Sequence, residues 1–226
     1  MEKKETKIVV DKKETKKKKG MNLPNKITCA RLVISLIVLV ILCFPWDAVG
    51  ISEAERTVGP LFGVQAIDLK YIVAGVLFVI GATTDFLDGY LARKHNIVTD
   101  FGKVMDAIAD KVLVNGVLII LACGEPRSEI PFIVPVIIIT RDIVVDSIKM
   151  ASGSKGKVVA ASWPGKIKTI CMLIGVSLTF FYNMPFAFIG EGIAVDSLFI
   201  FVAVIMSIYS ACQYYWVNKD LLFSEM

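Results

Sequence analysis

Four aspartates are the residues with the clearest capacity for chemistry, and they lie in two closely spaced pairs. Asp85 and Asp88 are three residues apart, and Asp106 and Asp110 are four apart. Either spacing puts both carboxylates of a pair on one face of a helix. The link between the two segments is short, so their helices are expected to be antiparallel neighbours. The sequence therefore predicts a single cluster of four carboxylates.

Such a cluster is predicted to bind metal. Four carboxylates in a partly dehydrated site repel one another and need positive charge between them. Oxygen ligands with no His or Cys nearby suit a hard divalent cation, so we expect Mg²⁺ or Mn²⁺, and two ions for a cluster of this charge. Bound metals of this kind neutralise phosphate oxygens and align attacking and leaving groups. The pattern thus indicates phosphoryl transfer.

Small and cationic residues flank the aspartates. Gly89 and Gly102 remove side chains beside the carboxylates, which lets a bulky nucleotide approach the helix backbone. Arg93, one turn beyond Gly89, can form a bidentate contact with a phosphate. For Gly75 and Gly81, in the apolar segment before the aspartates, close helix packing is the expected role.

Apolar helices must position these residues. Hydrophobic residues make up 55% of the 226, and the mean hydropathy is +0.67, which is more apolar surface than a soluble domain of this length hides. The predicted fold is therefore an all-α integral membrane protein with six transmembrane helices. Each apolar stretch reaches a span of about 20 residues once its flanks are added. The stretches are 32–44, 71–80, 112–122, 132–140, 170–181 and 198–208.

Charge divides the chain into a tail, residues 1–20, and a membrane domain, residues 21–226. The tail has nine Lys against four acidic residues and is predicted to be disordered. It is expected either to tether the protein to anionic lipid or to be a dispensable extension before a second start at Met21. The Lys and Arg bias of the loops puts both termini and the aspartates on the cytoplasmic side of the cell membrane. An aromatic group near the end of the last helix is predicted to lie at the membrane interface: Tyr209, Tyr214, Tyr215 and Trp216.

The spacing of the aspartates resembles a known family signature. The run Asp85-x-x-Asp88-Gly89-x-x-Ala92-Arg93, then eight residues, then Gly102-x-x-x-Asp106-x-x-x-Asp110 is similar to the complete signature of the CDP-alcohol phosphotransferases. The resemblance implies a homodimer of six-helix membrane subunits with an N-terminal interfacial helix. It also implies that Asp110 is the catalytic general base and belongs to the metal site with the other three aspartates. A pocket for the cytidine nucleotide would be lined by Gly89, Ala92, Arg93 and Gly102.

Three segments outside the signature bear on the acceptor alcohol. Residues 22–31, 140–144 and 156–169 are similar to bacterial phosphatidylglycerophosphate synthases, which implies CDP-diacylglycerol as donor and glycerol 3-phosphate as acceptor. Cationic side chains at the cytoplasmic helix ends can capture an acceptor that carries its own phosphate. For the lysines the alternative is anchoring at the membrane surface, and for Arg141 it is structural pairing with Asp142 or Asp146. The predicted acceptor site comprises Thr28, Arg31, Arg141, Lys149, Lys166 and Lys168.

Three alternatives compete with this hypothesis. The same signature serves transfer to inositol phosphate, serine, choline or phosphatidylglycerol, so a sister specificity is the main alternative. A divalent-cation transporter is the second, since intramembrane carboxylates also mark ion paths. The clustering of the aspartates near one surface, without an inverted repeat, argues against transport. A non-catalytic membrane scaffold leaves the aspartates unexplained. The expected partners are both substrates, membrane lipid and a second copy of the chain, with no nucleic acid.

Overall fold

The computed structural model describes residues 23–59, 67–95, 100–124, 130–154, 162–184, 186 and 194–222, with side chains for all of these except 23–24, 85–95, 100–101, 103, 154 and 220–222. Over these residues the chain is almost entirely helical. The helices are α1 Leu23–Cys43, α2 Glu53–Arg56, α3 Leu69–His95, α4 Asp100–Cys123, α5 Ile133–Ser154, α6 Trp163–Phe180 and α7 Val195–Leu222. A 3₁₀ turn, Trp46–Val49, follows α1, and strands β1 Thr57–Val58 and β2 Ile67–Asp68 form a short antiparallel ribbon.

Each of the six predicted apolar stretches lies within one long helix, except for at most one residue at its end. The predicted helical fold is therefore confirmed for the described residues. Within those residues, Asn25–Cys43 and Val195–Lys219 are long and apolar enough to cross a membrane, and Leu69–Thr84 is a shorter apolar segment. Helix α1 runs unbroken from Leu23. The predicted disordered tail and any interfacial helix that precedes residue 23 lie outside the described residues.

The long helices form one bundle. Helix α1 packs against α3 and α4, α6 packs against α3 and α7, and α5 packs against α4 and α7. Fully buried apolar side chains from five helices meet in its core: Val38, Phe78, Leu118, Ile138 and Val176. The outer faces are apolar as well, with large exposed side chains such as Val40 on α1 and Phe201 on α7. Helices that are apolar both inside and outside the bundle are typical of a membrane protein.

Glycines allow the helices to approach closely. A Cβ at Gly75 of α3 would lie 2.7 Å from Phe180 Cβ of α6, and one at Gly81 would lie 3.1 Å from Leu113 Cδ2 of α4. The packing role predicted for these two glycines is confirmed. Gly175 does the same between α6 and α7, where an added Cβ would meet Ile200 Cγ1 at 2.7 Å.

A second polar cluster lies at the end of the bundle where α3 begins. Asp68 is buried, and its carboxylate lies 3.7 Å from both Arg56 Nε and Lys70 Nζ. The backbone N–H of Asp68 donates to the Tyr182 hydroxyl at 2.6 Å. Tyr182 and Asn183 both have positive φ, 59° and 58°, in the turn that follows α6. This cluster fixes the α6 turn to the start of α3.

Candidate active site

The backbones of α3 and α4 bring the aspartates to matching heights. Gly81 of α3 and Leu113 of α4 lie in contact and mark a point where the two helices meet. Asp88 lies seven residues beyond Gly81, and Asp106 lies seven residues before Leu113. Since an α-helix rises 1.5 Å per residue, each is about 10 Å from that contact. Both lie toward the end of the bundle where α3 stops and α4 starts.

The other two aspartates are also nearly level. Asp85 lies four residues beyond the α3–α4 contact and Asp110 lies three before it, which is about 5 Å along each helix axis. On α4 the side chain of Asp106 is half exposed and that of Asp110 is exposed, one turn apart on the same helix. Two accessible carboxylates so spaced fit a hard divalent cation. The side chains of Asp85 and Asp88, and those of Ala92 and Arg93 in the predicted nucleotide pocket, lie outside the described residues.

Helix α1 reaches the same site through Arg31. The Arg31 side chain is 1% exposed, and its Nη2 pairs with the carboxylate of Asp106 and donates to the Asp106 backbone oxygen at 3.3 Å. Thr28, one turn earlier on α1, is also buried. Both residues were predicted to bind the acceptor, whereas the structure puts Arg31 directly on the third aspartate.

Asp142 joins two of the cations predicted for the acceptor. Lys168 Nζ of α6 donates to both of its carboxylate oxygens, at 2.8 and 3.0 Å. Arg141 Nη1 donates to Asp142 Oδ1 at 2.9 Å. The pairing of Arg141 with Asp142 left open by the sequence is therefore present. Asp146, the other alternative, instead pairs with Lys111 of α4.

A hydrogen-bond chain connects Arg141 to α6 and α7. Arg141 Nη2 donates to the Ser210 hydroxyl at 2.6 Å, and Ser210 lies 3.0 Å from the Ser162 hydroxyl. Ser162 caps α6 by accepting from Gly165 N at 3.3 Å, and its own N–H donates to the Tyr214 hydroxyl at 3.1 Å. A Cβ at Gly165 would come within 3.4 Å of Arg141 Nη2. The start of α6 is thus built around the Arg141 guanidinium.

The remaining two predicted acceptor residues lie at the surface. Lys149 is exposed with Nζ 5.6 Å from the centre of the Tyr214 ring, and Lys166 is exposed with Nζ 4.9 Å from the Trp163 ring. These cation–π contacts are distinct from the ion pairs of Lys168. Of the six predicted acceptor residues, the structure therefore groups Arg141 and Lys168 around Asp142 and puts Arg31 on Asp106.

A cleft between α4, α5 and α6 brings these groups together. Its polar lining consists of Asp110, Lys111, Asn115, Asp142, Lys168 and Thr169. Asp110, the predicted base, thus shares a cleft with Lys168, a predicted ligand of the acceptor phosphate. The groups that line this cleft can accept a proton from a hydroxyl and neutralise an anionic group.

Several members of this site were not predicted from the sequence: Lys111, Asn115, Ser162, Ser210 and Tyr214. Asp142 and Asp146 were predicted only as alternative partners of Arg141. The available signal was ionisable or polar residues within apolar helices, which usually face a bundle interior and mark functional sites. Asp142 and Asp146 are four residues apart, so they share one face of α5.

Comparison with known proteins identifies the family to which the chain belongs. The family model described as CDP-alcohol phosphatidyltransferase matches residues 21–209, which include all four aspartates. The chain belongs to the CDP-alcohol phosphatidyltransferase family. This membership agrees with the signature that the aspartates resemble, and the match begins where the Lys-rich tail ends.

Individual relatives of the CDP-alcohol phosphatidyltransferase family extend the comparison. The chain is 36% identical to the CDP-diacylglycerol--glycerol-3-phosphate 3-phosphatidyltransferase of Bacillus subtilis (strain 168) over 89% of this chain and 97% of that protein. It is 31% identical to the protein of the same name from Rickettsia felis, over 88% of this chain and 96% of the relative. The Mycoplasma genitalium protein of that name is 35% identical, over 70% of this chain and 64% of the relative.

Proposed function

We propose that this protein transfers the phosphatidyl group of CDP-diacylglycerol to glycerol 3-phosphate, giving phosphatidylglycerol phosphate and CMP. Its similarity to enzymes named for this reaction, over nearly their full length, supports the proposal. The observation that carries it is the cleft in which Asp110 and the buried ammonium of Lys168 both lie. An acceptor with a hydroxyl at one end and a phosphate at the other matches this pair of groups.

The aspartates are proposed to hold the metal. Asp85, Asp88, Asp106 and Asp110 would bind two Mg²⁺ or Mn²⁺ ions, which neutralise the charge of the donor diphosphate and of the transition state. The nucleotide side of the donor would lie against Gly89, Ala92, Arg93 and Gly102. The level placement of the two aspartate pairs on α3 and α4 supports this arrangement.

Asp110 is proposed to act as the general base. It accepts the proton of the acceptor hydroxyl while the hydroxyl oxygen bonds to the phosphorus that carries diacylglycerol. The bond between that phosphorus and the CMP oxygen breaks, and CMP leaves with the electron pair. Lys168 and Arg141 hold the acceptor phosphate so that its hydroxyl stays near Asp110.

Membrane placement follows from the substrates. We propose that α1 and α3–α7 span the cell membrane, with the aspartate end of the bundle and both chain termini on the cytoplasmic side. The apolar outer faces of these helices support the proposal. The diacylglycerol tails then stay in the bilayer while the head group reaches the soluble acceptor. A homodimer is part of the proposal.

An acceptor panel tests the proposed function. The purified protein would be given CDP-diacylglycerol, Mg²⁺ and, in separate reactions, glycerol 3-phosphate, serine, inositol phosphate and phosphatidylglycerol, and the lipid product would be identified by mass spectrometry. Phosphatidylglycerol phosphate with matching CMP release is the expected outcome. A different lipid would establish a sister specificity, and metal flux in vesicles without CMP release would establish a transporter.

Matched lysine variants test the cleft in the same assay. Lys168→Met should raise the KM for glycerol 3-phosphate by roughly tenfold or more, since a charge-assisted contact is lost. Lys219→Met is the control, because Lys219 is exposed and its Nζ lies over the Trp216 ring at 5.2 Å. Equal effects of the two substitutions would contradict the assignment of Lys168.

A further inference from the structure

Asp142 lines the cleft together with Asp110 and Lys168. Neither the signature nor the family resemblance gives it a role. Its side chain is 18% exposed and accepts three hydrogen bonds, two from Lys168 and one from Arg141. We propose that Asp142 is a positioning residue that holds the Lys168 ammonium toward the acceptor phosphate. The inference rests on the proposed function, since it concerns the acceptor of that reaction.

Burial makes Lys168 dependent on this carboxylate. Lys168 is 8% exposed, and an ammonium group taken out of water is costly unless it is paired. An ammonium has three N–H donors, and within the described part of the chain its hydrogen bonds go to the two Asp142 oxygens. The third donor is therefore left for a ligand in the cleft that both residues line. Asp142 thus favours the charged form of Lys168 and directs its ammonium group.

Arg141 holds the carboxylate itself in place. Its Nη1 donates to Asp142 Oδ1, and its Nη2 is fixed on Ser210 of α7 at 2.6 Å. Ser210 is fully buried and continues to the Ser162 cap of α6. Asp142 is therefore braced between two helices. Of the two cations that share this carboxylate, Lys168 also lines the cleft, where its ammonium can meet a phosphate group.

The direct test is Asp142→Asn with steady-state kinetics on both substrates. The amide keeps the size of the side chain but loses its charge, and it presents one acceptor oxygen where the carboxylate presents two. The KM for glycerol 3-phosphate should rise about tenfold, the change expected when a charge-assisted hydrogen bond is lost. The KM for CDP-diacylglycerol should stay within about twofold, because the proposed function assigns Lys168 to the acceptor phosphate and not to the donor.

A double-mutant cycle asks whether Asp142 acts through Lys168. In a Lys168→Met background, Asp142→Asn should change the KM for glycerol 3-phosphate little further, since the group that it positions is already gone. Asp142→Glu retains the charge and should restore at least part of the affinity. If Asp142→Asn does not fold, Asp142→Glu supplies a milder change: its longer side chain displaces the carboxylate, so the KM for glycerol 3-phosphate should still rise in the wild-type background and should not rise further with Lys168→Met.

Asp68→Asn is a matched control for the loss of a buried carboxylate. Asp68 also contacts one arginine and one lysine, Arg56 and Lys70, but at the opposite end of the bundle. This substitution should reduce stability while leaving both KM values near wild type. A purely structural Asp142 would behave like Asp68, and that result would overturn the inference.

The remaining outcomes also decide the question. An unchanged or lowered KM for glycerol 3-phosphate in Asp142→Asn, or equal rises for both substrates, would overturn the positioning role. Additive effects in the cycle would do the same. Failure of the wild-type protein to make phosphatidylglycerol phosphate is a separate result, since it removes the proposed function before any variant is compared.

Discussion

Arg31 and Asp106 form an ion pair between α1 and α4 in which only one member is buried. The arginine side chain is 1% exposed, whereas the aspartate side chain is 51% exposed. The two residues are 75 positions apart in the sequence. The pair joins a residue predicted for the acceptor to a residue predicted for the metal, so the two parts of the proposed site are in direct contact.

Unequal burial predicts unequal costs when the pair is broken. Asp106→Asn removes the charge of the carboxylate that pairs with the buried guanidinium and should lower the free energy of unfolding by about 1–3 kcal/mol. Arg31→Met leaves a carboxylate that water can reach and fills the buried space with an apolar chain, so its cost should be smaller. Thermal unfolding in detergent with excess chelator measures both without metal.

The order of the two costs is the decisive quantity. If Arg31→Met is the more destabilising change, the packing of the arginine stem dominates and the ion pair is secondary.

Phase along a helix explains which lysine of α6 enters the site. Lys166 and Lys168 are two residues apart, which is about 200° around a helix, so only one of them can face the bundle. The buried stripe of α6 consists of Lys168, Met172, Gly175, Val176, Thr179 and Phe180. Its spacing was available in the sequence and assigns Lys168 to the interior. The prediction grouped Lys166 and Lys168 by charge alone and did not use this spacing.

Helical phase also separates the four aromatic residues near the end of α7 into exposed and buried positions. Tyr209, Tyr215 and Trp216 are exposed, as expected for interfacial residues, but Tyr214 is 5% exposed and is bonded to Ser162. Tyr214 therefore faces the interior of the bundle, which composition without helical phase could not indicate. The buried positions of α7 recur every three or four residues: Asp196, Ile200, Ala203, Ser207, Ser210, Tyr214 and Asn218.

The Arg31–Asp106 pair, by contrast, could not be predicted from the sequence. It depends on how α1 crosses α4, which the spacing of residues along one helix does not specify.

Close helix packing gives a prediction on stability. A Cβ at Gly175 would meet not only Ile200 Cγ1 but also the backbone of α7, at 3.2 Å from both Asp196 O and Ile200 N. Backbone atoms cannot move aside cheaply, so Gly175→Ala should lower the unfolding free energy by about 1–3 kcal/mol. Unfolding in detergent at increasing denaturant provides the measurement.

Gly116→Ala is the matched control for this substitution. The three atoms nearest to its added Cβ would all belong to the Leu39 side chain, with Cδ2 at 2.7 Å and Cδ1 at 3.0 Å. A leucine tip can rotate, and alanine favours the helix by about 1 kcal/mol over glycine, so the net effect should be small. Similar losses for the two variants would mean that side-chain crowding, and not the α7 backbone, sets the cost.

Metal dependence is predicted for catalysis. Activity should disappear in excess chelator and return with Mg²⁺ or Mn²⁺, because uncompensated carboxylates cannot bind a diphosphate donor. Binding of Mn²⁺, followed by electron paramagnetic resonance, should weaken by roughly tenfold or more in Asp85→Asn, since even outer-shell partners are worth that much. Full turnover in chelator, or unchanged Mn²⁺ binding in Asp85→Asn, would remove the proposed metal role.

Substitution of Asp110 is predicted to impair the chemical step without preventing donor binding. It lies one turn beyond Asp106 on α4, is exposed, and lines the cleft shared with Lys168 and Asp142. Asp110→Asn preserves the shape of the side chain but cannot accept a proton, so kcat should fall by roughly 10²-fold or more while CDP-diacylglycerol still binds. Asp106→Asn should instead weaken metal and donor binding together. Single-turnover kinetics with donor binding measured separately distinguishes the two variants. Near-normal turnover by Asp110→Asn, or a loss of metal as complete as that of Asp106→Asn, would show that Asp110 is a ligand without the role of base.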